Sequence, residues 1–229
     1  MADIWRNEEK ALKQLLIFGT GTFARLMHYY LDKYFECKPT AFVVDKPYVE
    51  GDSFDGLPLW DTETAVEKFS PAETGVILAV GYKGMNNVRK RMYEFFGTKG
   101  YELPNFIHPS VVSEAASIGN GNLILEGAVL SPFSRIGNGN ILWNGCLVAH
   151  DVSVGSFNML CGGSLMAGFS EVADNCFIGA RAVVRDYAKV ASYTFVGASC
   201  YINENTAEKS VYLPPKTKRL NGMESFDVL

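Results

Sequence analysis

The chain has 229 residues, of which 48% are hydrophobic and 20% are charged, and its net charge is −4 at pH 7. These values predict a soluble globular protein with room for two modest domains or one large one, and they argue against general nucleic-acid binding. The first ten residues lack the apolar core of a signal peptide, and no apolar run approaches the roughly 20 residues that span a bilayer. We therefore expect a cytoplasmic protein without membrane insertion.

The first predicted strand, at 15–18, runs into the turn Gly19-Thr20-Gly21 and then into a helical pattern that ends near Tyr34. A strand, a glycine turn and a helix form the arrangement in which backbone amides at a helix start face a phosphate. A tight strand-to-helix turn without a ligand would use the same residues, so both interpretations stay open.

Two further strands are predicted at 41–44 and 75–80, separated by a loop at 54–60 and a helix at 62–69. Asp45 ends the first of them, where a carboxylate can accept hydrogen bonds from a ribose or a base, although a solvated strand end explains it equally well. Gly81 ends the second strand, and a basic helix near 86–97 follows. This alternation predicts a small parallel sheet with helices on both faces and a domain boundary near residue 104.

From Phe106 onward, a large apolar residue recurs every six residues as far as Ile202. This period matches neither a helix nor an ordinary strand and therefore indicates a repeat. Four places after nearly every large residue stands a small one, and turn formers such as Asn120-Gly121 and Asn138-Gly139 lie between them. Each hexad is therefore predicted to be a short strand and a corner, with the large and small residues filling a narrow interior.

Three of the five cysteines, Cys146, Cys176 and Cys200, take the small inward place of a hexad. We interpret them as core filler with reduced thiols. Because the total is odd and the spacing is not that of metal ligands, no disulfide and no metal site are predicted.

The dipeptides in which glycine follows the large apolar residue, such as Ile118-Gly119 and Ile136-Gly137, resemble the signature of the hexapeptide acyltransferases. The resemblance implies a left-handed parallel β-helix with three hexads per coil. Sorted onto three faces, the outward residues produce one strongly apolar face, which consists of Leu123, Leu125, Ile141, Trp143, Met159, Phe177 and Phe195. Because an exposed apolar face marks a contact, we predict that it packs against another subunit of the homotrimer that the resemblance implies.

The order of motifs along nearly the whole chain resembles a narrower group, the sugar acetyltransferases of the sialic-acid O-acetyltransferase and bacillosamine-pathway N-acetyltransferase type. The matching segments are 17–21, 42–45, 56–58, 79–81, 106–110 and the hexads with Ala149-His150-Asp151. The resemblance implies a Rossmann-like α/β domain for a nucleotide-linked sugar at 1–104, and an all-β left-handed β-helix acyltransferase domain with a C-terminal tail at 105–229. It places the nucleotide-linked sugar at Gly19, Thr20, Gly21, Asp45, Lys46 and Gly81. It places acetyl-CoA at Met159, Gly168, Lys216 and Lys218.

His150 and Asp151 occupy a corner where other hexads carry Asn-Gly or Gly-Gly, so both side chains can point toward one cleft. The resemblance assigns His150 as the general base and Asp151 as its partner. Acetyl transfer needs such a base because the attacking amine or hydroxyl must lose a proton, and imidazole accepts one near neutral pH. The alternative for His150 is a polar corner residue without a role. Of the other histidines, His108 suits a turn and His28 a surface position on a helix.

Two departures from the family pattern concern the binding of acetyl-CoA. Met159 stands where the family often has a second histidine near the thioester, which leaves the positioning of the electrophile and the acceptor open. In the tail, Pro214 and Lys216 match the segment after the last coil, whereas Tyr212 replaces its glycine. Lys216 and Lys218 could contact the phosphates of coenzyme A or belong to a solvated basic tail.

These features predict an acetyl-CoA-dependent N-acetyltransferase that acts on a nucleotide-linked amino sugar for surface-glycan synthesis. A sugar O-acetyltransferase is the alternative within the same class, because only the nucleotide-binding features favour an amine acceptor. A β-helix metalloenzyme of the carbonic-anhydrase type needs three histidines around one zinc, and neither His28 nor His108 is spaced for it. A non-catalytic β-helix scaffold is the third alternative.

Overall fold

The computed structural model describes residues 12–217 together with 221, 222, 224 and 226. Its N-terminal part contains five strands, β1 (Gln14–Phe18), β2 (Pro39–Val44), β3 (Ser53–Phe54), β4 (Leu57–Asp61) and β5 (Thr74–Leu78). The helices are α1 (Thr22–Tyr34), α2 (Thr62–Lys68) and α3 (Asn87–Thr98), and a short 3₁₀ helix spans Lys46–Tyr48. Nowhere in these ranges is a helix long and apolar enough to cross a membrane.

The N-terminal sheet has the strand order β3-β4-β2-β1-β5. The three predicted strands, β1, β2 and β5, run parallel as expected, and β4 adds a fourth parallel strand. Because β3 is antiparallel to β4, the sheet is mixed. The loop predicted at 54–60 is therefore wrong, because these residues form a β-hairpin. Asp55 and Gly56 close it with φ of 47° and 84°, the left-handed backbone of a two-residue hairpin turn.

Alternate residues of β1 face opposite layers. Leu15 and Ile17 pack toward α1, whereas Leu16 and Phe18 belong to a core with residues of α2 and α3. All four side chains are buried. The prediction of helices on both faces of the sheet is thus confirmed.

Residues 106–212 form three stacked parallel sheets of two-residue strands. The sheet that we call the docked sheet contains Phe106–Ile107, Leu123–Ile124, Ile141–Leu142, Met159–Leu160, Phe177–Ile178, Phe195–Val196 and Val211–Tyr212. The apolar sheet contains Val112–Ser113, Val129–Leu130, Leu147–Val148, Leu165–Met166, Val183–Val184 and Tyr201–Ile202. The polar sheet contains Ser117–Ile118, Arg135–Ile136, Ser153–Val154, Glu171–Val172 and Lys189–Val190.

The pairing of strands confirms three hexads per coil over most of the domain. Leu147 pairs with Leu165 and Leu165 with Val183, so each coil takes 18 residues. This arrangement is consistent with the left-handed β-helix that the resemblance implies. The large and small residues of the hexads fill the interior as predicted, and Cys146, Cys176 and Cys200 are among the buried ones.

The first coil departs from the predicted register by one residue. Val112 pairs with Val129 rather than with the inward Leu130, and Phe106 likewise pairs with Leu123. Both therefore point outward, contrary to the hexad count, because the first repeat is one residue shorter than 18. Val112 is 58% exposed as a result, whereas Phe106 is buried beneath the N-terminal domain.

The glycine of the hexad signature is required by the distance between coils. A Cβ on Gly137 would lie 2.6 Å from the carbonyl oxygen of Gly155 in the next coil. On Gly179, it would lie 2.4 Å from the amide nitrogen of Ala198. Both contacts are with backbone, which cannot rotate away.

A column of inward asparagines links successive coils at the corner between the polar and docked sheets. Oδ1 of Asn122 accepts from the backbone N–H of Asn140 at 2.9 Å, and Oδ1 of Asn140 accepts from that of Asn158 at 2.8 Å. Asn158 in turn accepts from the N–H of Cys176 at 2.7 Å. These bonds satisfy buried backbone donors at a place where the corner interrupts the strand ladder.

The prediction that the docked sheet packs against another subunit is wrong for its central part. Leu123, Ile141 and Met159 are at most 3% exposed and share one core with Met27 and Leu31 of α1. The chain's own N-terminal domain covers this face. The sequence pattern identified a buried contact correctly but assigned it to the wrong partner.

We predict that Gly137→Ala destabilises the β-helix, because its methyl group would collide with the backbone of the next coil. The expected loss is about 1–3 kcal/mol in the free energy of unfolding, measured by urea denaturation. Gly162→Ala is the control, since its Cβ would lie 3.3 Å from a side-chain oxygen of Asn144 that can move. Equal stability of the two variants would contradict the steric explanation.

Candidate active site

His150 and Asp151 lie at the corner between the apolar and polar sheets, as the hexad count predicts. Nδ1 of His150 is 3.0 Å from Oδ2 of Asp151, and the two side chains are 57% and 37% exposed. Because an ionised carboxylate only accepts hydrogen bonds, Nδ1 carries the hydrogen and Nε2 is left with its lone pair. The arrangement leaves one basic nitrogen on an exposed corner.

The backbone of this corner is held by the coils on either side. The N–H of Asp151 donates to the carbonyl of Pro132 at 3.2 Å, and the carbonyl of His150 accepts from the N–H of Phe169 at 3.3 Å. Asp151 adopts a left-handed backbone with φ of 59°, which aspartate tolerates better than most residues. The pair therefore stands on a backbone that two neighbouring coils position.

Gly168 leaves the space that the imidazole of His150 occupies. A Cβ on Gly168 would lie 2.9 Å from both Cε1 and Nε2 of the ring. Gly168 was predicted to contact acetyl-CoA, and the structure places it directly beside the candidate base.

Two exposed aromatic residues continue this corner through the next two coils. Phe169 meets the imidazole of His150 edge to face with ring centroids 5.3 Å apart, and Tyr187 stacks on Phe169 at 5.0 Å. Their exposed fractions are 43% and 65%, and both have a left-handed backbone. Hexad counting did not identify them, although an aromatic residue at a place that holds glycine in hexads such as Asn138-Gly139 was a visible signal.

The other residues predicted to bind acetyl-CoA are not assembled at this corner. Met159 is 3% exposed within the core between the two domains, so its predicted contact with acetyl-CoA is not supported. Lys216 is exposed in the tail. Lys218 lies outside the described residues.

The predicted nucleotide-sugar residues Gly19, Gly21 and Gly81 lie together at the carboxyl edge of the N-terminal sheet, after β1 and β5. Gly19 has φ of 126°, and a Cβ there would lie 2.7 Å from the carbonyl oxygen of Ala79, so the two loops touch. Gly21 begins α1 without a side-chain cap, and neither Gly21 nor Gly81 has an atom within 4 Å of an added Cβ. Thr20, between Gly19 and Gly21 in the chain, is partly buried. These loops lie at the carboxyl end of β1, which β2 and β5 flank on opposite sides. Open α/β sheets bind ligands at such a place, and we call it the crevice.

Asp45 is engaged by its own chain. Its carboxylate pairs with the guanidinium of Arg91 and accepts from Oγ1 of Thr62 at 3.4 Å. Lys46, which follows it, is exposed. These contacts favour a structural role at the end of β2 over a free acceptor for a ribose.

The crevice and the His150 corner lie on different sides of one chain. The N-terminal domain covers the docked sheet, whereas His150 stands at the one corner of the coil that does not border that sheet. A single chain therefore does not bring the two predicted sites together.

The other two histidines have partners away from this corner. His28 is less exposed than predicted, since Nδ1 lies 2.7 Å from Oδ2 of Asp55 and the side chain is 20% exposed. The turn role of His108 is confirmed, because its Nδ1 accepts from the N–H of Ser110 at 3.2 Å. Across the described part of the chain, no three His, Cys, Asp or Glu side chains are placed to hold a metal ion.

No protein-family model matches the chain, and no curated protein matches its sequence. Solved structures match nearly its whole length. The acetyltransferase domain of PglB from Neisseria gonorrhoeae is 23% identical, with a TM-score of 0.76 over 87% of this chain and 95% of that one. PerB from Caulobacter crescentus, in complex with CoA and GDP-perosamine, is 25% identical, with a TM-score of 0.76 over 88% and 94%. WeeI from Acinetobacter baumannii is 16% identical, with a TM-score of 0.59 over 86% and 94%.

The predicted resemblance to the hexapeptide-repeat sugar acetyltransferases is confirmed. The matches cover both parts of the chain, so the likeness to these sugar acetyltransferases extends beyond the β-helix to the combination of two parts. In the sequence, the order of the motifs predicted this two-part likeness, whereas no single motif did.

One buried residue at the contact between the two parts was missed. Arg89 of α3 is fully buried, and its guanidinium donates to the backbone carbonyls of Gly139 at 2.7 Å, Asn158 at 3.0 Å, Val80 at 3.2 Å and Gly81 at 3.4 Å. Burial lowers the pKa of Arg89 to about 9, so the guanidinium remains protonated at neutral pH. The available signal was its spacing, since it stands three and seven residues before the buried Met92 and Phe96 of the same helix.

We predict that Gly168→Ala displaces the imidazole of His150 and lowers kcat without unfolding the protein. The added methyl group would occupy the ring's position, so a loss of about tenfold or more is expected. Gly162→Ala is again the matched control, because Gly162 holds the same place in the preceding hexad. Steady-state kinetics and the imidazole NMR signals of His150 report the displacement, and unchanged values for both would contradict it.

Proposed function

We propose that this chain is an acetyl-CoA-dependent N-acetyltransferase that acts on a nucleotide-linked amino sugar for surface-glycan synthesis, with His150 as the general base. One observation carries the proposal. The Nδ1 of His150 is paired with Asp151, so the basic Nε2 remains on an exposed corner of the β-helix. The neighbours support the class, since PerB was solved with CoA and GDP-perosamine and the PglB domain with acetyl coenzyme A.

In the proposed reaction, His150 Nε2 removes a proton from the sugar amine as the amine nitrogen attacks the thioester carbonyl carbon. A nitrogen–carbon bond forms and the carbon–sulfur bond breaks. The sulfur leaves as a thiolate, to which the imidazolium returns the proton. Asp151 holds Nδ1–H throughout and stabilises the imidazolium. No other cofactor is needed to balance the transfer.

We assign the two ligands to different parts of the chain. The nucleotide-linked sugar is proposed to bind the crevice of Gly19, Gly21 and Gly81 in a Rossmann-like domain at 1–104, and acetyl-CoA the His150 corner of the β-helix domain at 105–229. The place of the crevice in the sheet supports the first assignment. The second is supported by the missing side chain of Gly168, which leaves room for the imidazole of His150.

A homotrimer would bring the two sites together. The outward residues of the apolar sheet, including Val129, Leu147, Leu165 and Val183, form a column of partly exposed side chains beside the His150 corner. Such a continuous apolar surface is typical of a contact between subunits. We infer that His150 of one subunit meets the crevice of another, so that assembly completes the site.

We predict that Leu147→Arg dissociates the assembly, because it places a charge within the apolar column. Size-exclusion chromatography with light scattering should show trimeric wild type and a smaller variant. Ser153→Arg is the control, since it adds the same side chain six residues later, on the exposed polar sheet. A monomeric wild type, or two variants that both stay trimeric, would show that the apolar sheet is not the interface.

The proposed activity is tested by thiol release from acetyl-CoA in the presence of UDP-, dTDP- and GDP-linked amino sugars. We expect one acceptor to drive release, and His150→Gln to lower the rate by about 10²–10⁴-fold because the base is lost. Asp151→Asn should lower it less, since the imidazole stays in place. His108→Gln, which removes a histidine of the first coil, should leave the rate unchanged.

Three results would overturn parts of this proposal. Release that occurs only with hydroxyl acceptors would establish O-acetylation. If wild type neither releases thiol nor binds coenzyme A, the β-helix is a scaffold. Full activity of His150→Gln would show that His150 is a polar corner residue without a catalytic role.

A further inference from the structure

The buried guanidinium of Arg89 connects two specific backbone segments. Nε and one terminal nitrogen bind the carbonyls of Gly139 and Asn158 in the β-helix, and the other terminal nitrogen binds those of Val80 and Gly81 after β5. Among the ion pairs of the described residues, none involves Arg89. Its hydrogen bonds to protein thus all go to backbone carbonyls. Burying a charge without a carboxylate partner has a large desolvation cost, which is more than a contact between two surfaces requires.

The carbonyls that Arg89 holds determine which way the neighbouring amides point. In a trans peptide, the C=O of one residue and the N–H of the next point in opposite directions, and the chain has no cis peptide among its described residues. Because the carbonyls of Val80 and Gly81 turn inward to Arg89, the N–H groups of Gly81 and Tyr82 turn outward. No acceptor within the described ranges bonds to either N–H.

These two outward amides lie at the crevice of the N-terminal sheet. The loop that carries them touches Gly19 through the carbonyl of Ala79, and the space beside Gly81 is open. Unpartnered backbone amides that point in one direction form a concave surface for an anion. The diphosphate of a nucleotide-linked sugar is the anionic part of the proposed substrate.

We propose that Arg89 is a positioning residue for the nucleotide-linked sugar. It turns the Val80 and Gly81 carbonyls inward so that the Gly81 and Tyr82 amides are presented to the diphosphate, and it anchors them to the coils at Gly139 and Asn158. This inference rests on the proposed function, since it concerns the same crevice. It adds a residue that touches no ligand and acts only through the backbone.

The test compares the binding of nucleotide and of coenzyme A by calorimetry, which requires no turnover. UDP, dTDP and GDP serve as probes of the crevice. Arg89→Lys keeps the charge but, with its donors on a single nitrogen, does not span four carbonyls, and Arg89→Met removes every donor at a similar length. We expect nucleotide affinity to fall by about tenfold or more in Arg89→Met and by less in Arg89→Lys, with coenzyme A affinity within about twofold of wild type. In steady-state kinetics, KM for the sugar nucleotide should rise more than kcat falls.

Tyr93→Leu is the matched control. Tyr93 is one turn beyond Arg89 on α3 and packs on Phe157 with ring centroids 5.3 Å apart, so its loss weakens the same domain contact without freeing the Val80 or Gly81 carbonyls. Its nucleotide affinity should stay within about twofold of wild type. Hydrogen exchange of wild type supplies a measurement that does not depend on any variant, since the amides of 81–82 should gain protection when the bound nucleotide is added.

Unchanged nucleotide affinity in folded Arg89→Lys and Arg89→Met would overturn the inference. A parallel loss of both ligands, or an equal loss in Tyr93→Leu, would also overturn it, because Arg89 would then only hold the domains together. If the variants do not fold, the absence of protection at 81–82 in wild type is sufficient to reject it. If wild type binds none of the three nucleotides, the proposed function of the crevice is wrong, and this inference fails with it. If wild type binds a nucleotide and the Arg89 variants bind it equally well, only this inference fails.

Discussion

The stacking of each coil directly on the one before it is the constraint on which the rest of the structure depends. Pairing repeats every 18 residues, so residues at one place of successive coils form columns along the domain. His150 is positioned by its own column, in which Pro132 precedes it and Gly168 follows it. Residues six apart in sequence face different sheets, whereas residues 18 apart share a site. The candidate active site is therefore built across coils rather than within one.

The two domains meet through two kinds of interaction. Helix α1 packs Met27 and Leu31 on the docked sheet by apolar burial, whereas α3 bonds to the coils through polar groups, chiefly Arg89. Apolar contacts tolerate small shifts, but a guanidinium shared among four carbonyls has a narrow range of geometries. This polar contact is not fully satisfied, since Oδ1 of Asn86 and Nδ2 of Asn158 are buried without a partner in the described structure.

Most of the architecture could be predicted because it depends on periodicity. The hexads specified coils, interior and corners, and they placed His150 beside Asp151 at an exposed corner. The register of the first coil failed because Phe106 is apolar for a different reason, its burial under α1. The Asp55-Gly56 pair is typical of a two-residue hairpin turn, although the segment 54–60 was predicted to be a loop. The partner of the docked sheet could not be predicted, since periodicity shows that a face is covered but not by what. The spacing of Arg89 indicated a buried position on α3, but not the four carbonyls that its guanidinium binds.

The asparagine column of Asn122, Asn140 and Asn158 passes hydrogen bonds from each coil only to the next. In a solenoid whose units contact only their neighbours, order is lost from the free ends inward, one unit after another. The coil of His150 stands in the interior of this series, with strands that begin at Phe106 on one side and end at Tyr212 on the other. Because the N-terminal domain covers the first coil, fraying begins at the C-terminal end of the domain. That end can open while the corner of the candidate base keeps its shape.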